Sequence, residues 1–378
     1  MADPVSAEAG SGLVSIPARR IDPHTVDREL ARLLDAPEGG ADGAQPVTRA
    51  CMSNLLVYCE SEAEAADVVA ELAALVERHP ARAVLLIGEA GGAGSELEAE
   101  VSALCYLAGD RRRVCAEHVR LAAPPDARRR LPSAVRPLLI GDLPTALWWA
   151  AADPPPSGEI FAELAAMAER VAWDSAAWSD PAQGAIAMAD WTARERGRRR
   201  VADLAWARLR PWRRVIAETL APDVLPGALE GIREVRVRHG PDALPAAWLL
   251  AGWMARSLGL RVAAGPVRPG PTMTWRFESP GRTVSATFES AEQGPTDLHE
   301  VTIASGGAAG ERVARFEALG PDRISSTVDG SGLAERLVAS PEASDAALLS
   351  DHLSEWRADP LFRDALEASR AMAEALAG

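Results

Sequence analysis

Two aspartates, Asp142 and Asp174, are the best candidates for chemistry in this sequence. Each follows a short apolar run that ends in a turn, which is typical of a buried strand. Parallel strands present their carboxyl ends at one edge of a sheet, so we expect the two carboxylates to be neighbours and able to act as an acid–base pair. The alternative, which we favour, is structural: Asp142 fixes a turn before Pro144, and Asp174 caps the segment that begins at Ser175.

Other catalytic arrangements are missing from the sequence. All 40 basic residues are Arg, so the chemistry of a P-loop Lys, a Schiff base or a Ser-x-x-Lys nucleophile is excluded. Neither G-x-S-x-G nor H-E-x-x-H occurs, and the six His are scattered singly. A glycine-rich stretch at 88–94 lacks the G-x-G-x-x-G spacing, so we interpret it as a flexible loop. Cys115 and His118 would face opposite sides of a strand. We therefore expect no cofactor and no bound metal.

Trp and Arg are concentrated in two segments, at 148–149 and 203–213. Adjacent side chains point in different directions, so we expect one of Trp148 and Trp149 to be buried and the other to be a partly exposed partner anchor. Trp206 and Trp212 lie on one apolar stripe of a predicted helix, with Arg208 and Arg213 largely on other faces. Trp and Arg are frequent at interface hot spots, but Trp at helical spacing is more often core, the interpretation we favour here.

The pattern of predicted strands and helices indicates that these residues belong to two domains. We expect an α/β, doubly wound N-terminal domain at 48–220, followed by an α+β domain with an antiparallel sheet and C-terminal helices at 221–378. Residues 1–47 are predicted to form a mobile arm with one docked helix at 25–34. The predicted elements of the first domain are strands at 54–60, 83–87, 114–121, 138–140 and 170–174, and helices at 63–78, from near 95, at 158–169 and within 181–220. Those of the second are strands at 234–239, 274–278, 284–289, 298–304, 312–318 and 323–328, and helices at 246–258, 342–356 and 361–376.

Charge and composition limit the choice of partner. The net charge of −14 argues against binding to nucleic acid or to an anionic membrane surface. The first residues do not resemble a signal peptide and no apolar run is long enough to span a bilayer, so we expect a cytoplasmic protein. Four cysteines do not make a disulfide framework. Cys51 and Cys59 are too far apart along an extended strand to bond, whereas Cys105 and Cys115 bracket a loop and can approach each other.

Three segments, taken in order, resemble the signatures of the OpcA family of glucose-6-phosphate dehydrogenase assembly proteins. They are DLPTALWW at 142–149, RVAWDS at 170–175 and DLAWARLRPWR at 203–213, and the similarity extends from about Arg49 to Leu260. The resemblance implies a non-catalytic activator that binds glucose-6-phosphate dehydrogenase, promotes its active oligomer and supports NADPH production in the oxidative pentose phosphate pathway. The candidate partner-binding residues are Asp142, Pro144, Trp148, Trp149, Asp174, Ser175, Trp206, Arg208, Trp212 and Arg213. The alternative is a sugar-phosphate-binding enzyme or sensor that uses Asp142, Asp174 and nearby Arg.

Overall fold

A computed structural model of the chain forms two compact units. It describes residues 14–22, 25–35, 47–49, 51–89, 96–108, 112–155, 158–266, 270–292, 297–306, 310–341, 343–355 and 357–377. Unit 1 comprises 1–150 with 162–170, and unit 2 comprises 151–161 with 171–378. These units are groups of residues in close contact, and such groups do not show which segments fold independently. The predicted domain boundary at 220 therefore stays a prediction.

Unit 1 is built around strands that the sequence marks by apolar runs. Its elements are β1 (Val14–Ile21), α1 (Val26–Asp35), β2 (Val47–Arg49), β3 (Ser53–Ser61), α2 (Glu62–Arg78), β4 (Ala81–Glu89), β5 (Glu98–Ala108), β6 (Arg112–Ala122), α3 (Leu131–Val135) and β7 (Thr145–Trp149). Two further elements, α4 (Glu159–Met167) and β8 (Arg170–Trp173), each contain residues of both units.

The strands of unit 1 lie in the order β1-β5-β6-β4-β3-β7, with β2 beside β6. Neighbours among β6, β4, β3 and β7 are parallel, and α2 connects β3 to β4, which confirms the predicted β-α-β start. A capping box between Ser61 and Glu64 begins α2, and the helix ends at Arg78, two residues before Pro80. The chain proceeds from β3 to one side and returns to β7 on the other. The carboxyl end of β3 is therefore a topological switch point.

Two sequence predictions for this part of the chain are wrong. The helix expected from near residue 95 is instead strand β5, antiparallel to β6. Strand β1, within the segment predicted to be a mobile arm, pairs with β5, and the mobility of that arm stays a prediction. The strand expected at 138–140 is a turn, because the Asn54 side chain accepts a hydrogen bond from Ile140 N at 2.9 Å and donates one to Ile140 O at 3.1 Å. The strand that pairs with β3 is β7, which follows that turn.

Unit 2 contains most of the helices and a second sheet. Its remaining elements are α5 (Pro181–Arg194), β9 (Arg200–Asp203), α6 (Leu204–Arg208), α7 (Arg210–Thr219), α8 (Ala228–Gly231), β10 (Ile232–His239), α9 (Leu244–Ser257), β11 (Arg261–Ala264), β12 (Thr272–Ser279), β13 (Arg282–Ser290), β14 (Leu298–Ser305), β15 (Arg312–Ala318), β16 (Arg323–Asp329), β17 (Arg336–Ala339), α10 (Asp345–Ser354) and α11 (Pro360–Ala377). No described helix is long and apolar enough to cross a bilayer.

The second sheet has the order β11-β12-β13-β10-β14-β15-β16-β17. All its pairings are antiparallel except the one between β10 and β13, which is parallel, so the predicted antiparallel sheet is in fact mixed. Trp275 of β12 is fully buried, packs edge-on against Trp248 of α9, and donates a hydrogen bond from Nε1 to Met372 O of α11 at 3.0 Å. A Cβ on Gly252 of α9 would lie 2.7 Å from Ala365 O, so glycine is what lets α9 and α11 approach this closely.

Candidate functional site

Two of the three signature segments meet in unit 2. Asp174 follows β8, and Arg208 ends α6. The Arg208 guanidinium donates two hydrogen bonds to the Asp174 carboxylate, at 3.0 and 2.8 Å, and a third to Asp345 Oδ1 at 2.6 Å. This bidentate geometry is the strong form of a charge-assisted pair. The structure thus brings together Asp174 and Arg208, two residues that the sequence predicted as site candidates.

Asp203 joins the same two segments through backbone contacts. Its Oδ1 atom accepts the N–H groups of Ala205 at 3.0 Å and of Ser175 at 3.1 Å, so it caps α6 and fixes the turn after β8. The side chain is 1% exposed, and burial, with a smaller contribution from the charge of Asp174, raises its pKa to about 7. Among the described residues, Oδ2 has no hydrogen-bond partner. The sequence analysis missed Asp203, although an aspartate directly before a helical stripe is a capping signal.

A third set of contacts connects α6 and α7 to the start of α11. The Arg213 guanidinium lies 3.4 Å from the centre of the Trp206 ring, and Trp206 Nε1 donates to Asp359 Oδ2 at 2.8 Å. Trp206 and Trp212 are both buried, as the favoured core interpretation expects. A cavity of about 230 Å³ opens beside these residues. We call it the Arg213 cavity. Its lining includes Arg200, Asp203, Trp206, Arg213, Arg357 and Asp359.

The other four candidate residues belong to unit 1. Asp142 is exposed on the turn before β7, so it lies at the amino end of its strand, whereas Asp174 follows the carboxyl end of β8. The premise that both aspartates follow strands is therefore wrong, and with it the reason to expect a carboxylate pair. Pro144 lies directly before β7, and its backbone carbonyl accepts the N–H of Asn54 at 2.9 Å.

Trp148 and Trp149 are both buried, with exposures of 2% and 7%. The expectation that one of them is partly exposed is wrong, because both faces of a parallel strand are covered. Trp149 stacks on Tyr58 of β3 with a ring separation of 4.2 Å. In the free chain, neither side chain is available at the surface.

The switch point of unit 1 does not fit a dinucleotide. In sheets of this order, the pyrophosphate lies on a glycine-rich turn and on the first amides of the next helix. Here the turn from β3 to α2 has no glycine, and its three carboxylates are Glu60, Glu62 and Glu64. Glu64 Oε2 accepts the backbone N–H of Glu60 at 2.6 Å and Ser61 Oγ accepts that of Glu64 at 3.3 Å, so the helix start is already capped.

A carboxylate network lies at the described part of this edge. Tyr58 OH donates to Glu60 Oε2 at 2.6 Å, and Arg128 pairs with Glu60 and with Glu89. Gly88 of the glycine-rich stretch has no room for a Cβ, which would collide with the Tyr58 hydroxyl. Gly91, Gly92 and Gly94 lie outside the described residues. A pyrophosphate would meet negative charge and occupied amides at this edge.

The cysteine and histidine side chains provide no metal site in the described part of the chain. His118 Nδ1 lies 2.9 Å from Ser102 Oγ, and burial lowers its pKa to about 4, so it is a neutral histidine. Cys115 is disulfide-bonded, and its register partner on the neighbouring strand is Cys105. Cys51 and Cys59 are in the thiol form.

Sequence comparison matches two consecutive regions of the chain to one family. Residues 72–190 match the glucose-6-phosphate dehydrogenase subunit N-terminal domain, and residues 199–366 match the corresponding C-terminal domain. An OxPP cycle protein named OpcA from Nostoc punctiforme is 26% identical over 310 residues, which cover 76% of this chain and 64% of the relative. The OpcA of Synechocystis is 26% identical over 176 residues, 46% of this chain and 36% of the relative. The chain thus spans less than two thirds of the length of these relatives.

The fold itself is similar to that of solved oxidoreductases. A structure described as an oxidoreductase from Parabacteroides merdae superposes with a TM-score of 0.51 at 9% identity, covering 87% of this chain and 98% of that one. At this identity the likeness concerns the fold alone.

Proposed function

Since the chain belongs to the OpcA family of glucose-6-phosphate dehydrogenase assembly proteins, we propose that it is a non-catalytic assembly factor. In this role it binds glucose-6-phosphate dehydrogenase in the cytoplasm and promotes the active oligomer of that enzyme in the oxidative pentose phosphate pathway. The observation that carries the proposal is the pair of consecutive family matches, at 72–190 and 199–366.

The turn after β3 supports the non-catalytic part of the proposal. A dinucleotide bound at this turn would need free amides and little negative charge for its pyrophosphate. In this chain Ser61 and Glu64 cap α2, and Glu60 and Glu62 add negative charge. The described residues of this turn therefore do not favour the cofactor of a dinucleotide-dependent oxidoreductase.

The surface formed by Arg208 of α6 and Arg210 of α7 is our proposed docking site for the dehydrogenase. Arg208 is a quarter exposed and is fixed between Asp174 and Asp345, whereas Arg210 is 58% exposed and pairs with Asp351 at 3.1 Å. Charged groups of this kind steer association and determine partner choice. Trp206, Trp212 and Ser175 are buried, and in this proposal they hold the surface in shape. A part in docking for Asp142, Pro144, Trp148 and Trp149 stays a prediction.

The test is to mix the purified chain with the glucose-6-phosphate dehydrogenase of the same organism. We expect a complex of larger mass by size-exclusion chromatography with light scattering, and a higher initial rate of NADPH formation across sugar-phosphate concentrations. The chain alone should give no NADPH. A dehydrogenase from an unrelated organism is the control for non-specific stabilisation. Unchanged mass and unchanged rates with the cognate enzyme would refute the proposal.

A further inference from the structure

Arg213 differs from the other three arginines of α6 and α7, which are Arg208, Arg210 and Arg214, in having no anionic partner among the described residues. Arg208 contacts two carboxylates, Arg210 contacts Asp351 and Glu355, and Arg214 contacts Glu218. Among the described residues, no carboxylate oxygen lies within 4.0 Å of the Arg213 guanidinium. Its hydrogen bond to Trp206 O is long, at 3.4 Å, and its buried Nε has no partner in the described part of the chain.

A half-buried guanidinium without a counter-ion is costly, because part of its charge is removed from water and not neutralised. Burial lowers the pKa of Arg213 to about 10, and the charge of Arg210 lowers it further, although that of Asp359 acts in the opposite direction. Stacking on Trp206 offsets part of this cost and fixes the plane of the guanidinium. A guanidinium pairs most strongly with planar or tetrahedral oxyanions such as carboxylate and phosphate.

The size of the Arg213 cavity limits the ligand. Pockets for drug-sized molecules have volumes of about 300 to 1,000 Å³, and this cavity has about 230 Å³. A dinucleotide is therefore too large.

One further acceptor on the lining, Asp203 Oδ2, is buried without a donor among the described residues. Asp359 lies on the same lining, but its two oxygens already accept hydrogen bonds from Trp206 Nε1, Leu361 N and Phe362 N. A buried acceptor that lacks a donor costs free energy, which a ligand hydroxyl would restore. The carboxylates Asp351 and Glu355 are already engaged by Arg210, so Arg213, Arg200 and Arg357 remain for an anion.

We propose that the Arg213 cavity is a binding site for a small phosphorylated polyol, with its phosphate on Arg213 and a hydroxyl on Asp203. The site would make this chain responsive to a metabolite in addition to its partner. The inference does not depend on dehydrogenase binding, because the site belongs to unit 2 of the chain alone.

Isothermal titration of the isolated chain tests the site. Three probes are used. Glucose 6-phosphate carries both the phosphate and the hydroxyls, inorganic phosphate carries only the anion, and glucose carries only the hydroxyls. We expect glucose 6-phosphate to bind at least tenfold more tightly than phosphate, and glucose to give no saturable heat. Equal affinities for phosphate and glucose 6-phosphate would show that the ligand hydroxyls are not recognised. If neither glucose 6-phosphate nor phosphate binds, the proposed site is refuted.

Paired arginine variants locate the binding. Arg213→Met should weaken glucose 6-phosphate binding at least tenfold, whereas Arg214→Met, on the exposed side of the same helix, should bind like the wild type. If Arg213→Met does not fold, Arg213→Lys is the second variant. It keeps the positive charge and loses the bidentate donor geometry of the guanidinium, so several-fold weaker binding is expected. Unchanged affinity in a folded Arg213 variant refutes the assignment. Failure of these titrations leaves the dehydrogenase assay unaffected, so the two proposals are tested separately.

Discussion

Asp203 is the residue whose ionisation has the clearest consequence for stability. Its carboxyl is fully buried and its pKa in the folded chain is raised to about 7, against an ordinary value of 3.8, because burial and Asp174 disfavour the charged form. Between these two values, the folded chain holds a proton that the unfolded chain releases. Raising the pH through this window therefore lowers the free energy of unfolding, and above about pH 7 the effect is complete.

The variant Asp203→Asn tests this directly. An Asn side-chain oxygen can still accept the N–H groups of Ser175 and Ala205, but it carries no charge. We expect the wild type to lose several degrees of melting temperature between pH 5 and pH 8 relative to the variant, and the variant to be the more stable of the two at pH 8. Thermal unfolding curves at each pH give the comparison. Parallel curves for the two proteins would contradict the raised pKa.

The sequence identified only some of the residues in this site, for physical reasons. Asp174 and Arg208 could be identified because they are charged residues within two of the three OpcA-like segments. Asp345, the second partner of Arg208, and Asp359, the partner of Trp206, could not, because Asp345 lies 137 residues from Arg208 and Asp359 lies 153 residues from Trp206. Only the tertiary fold brings such carboxylates to the site.

At the scale of elements, patterns within one segment predicted most strands and helices, whereas features that depend on a distant segment were missed. The strands predicted at 54–60 and 83–87 and the helix predicted at 63–78 correspond to β3, β4 and α2. The turn at 138–140 depends on the Asn54 side chain, 86 residues away, and no local pattern reveals it. Alternation predicts a half-buried strand whatever the direction of its neighbour, so the parallel pairing of β10 and β13 was not predictable either.

Strand β7 provides the element-scale prediction. Because Trp148 and Trp149 are both buried, we expect each Ala variant to lose about 3–5 kcal/mol of the free energy of unfolding. Trp149→Phe keeps a ring against Tyr58 and should lose clearly less than Trp149→Ala. Urea denaturation of the four proteins, wild type included, measures these values. Near-wild-type stability of either Ala variant would mean that its indole is dispensable to the core.

At the scale of the whole molecule, the proposed docking surface predicts a charge-specific loss of activation. Arg210→Glu reverses an exposed charge on that surface, and Arg214→Glu makes the same change at a side chain that is 70% exposed and pairs with Glu218. We expect Arg210→Glu to weaken dehydrogenase binding about tenfold or more and Arg214→Glu to have little effect. Titrated activation curves at two salt concentrations measure both. Equal behaviour of the variants would place the docking surface elsewhere.

The contact between Trp275 and α11 has a consequence for how the chain is made. Trp275 donates its hydrogen bond to Met372 O, 97 residues further along, and Gly252 of α9 lies against the backbone of α11. On the ribosome, the second sheet and α9 are synthesised well before α11. Until α11 is made, their apolar faces are exposed to solvent. The core of unit 2 can close only after residues 360–377 have emerged, and until then the nascent chain is a natural client for chaperones.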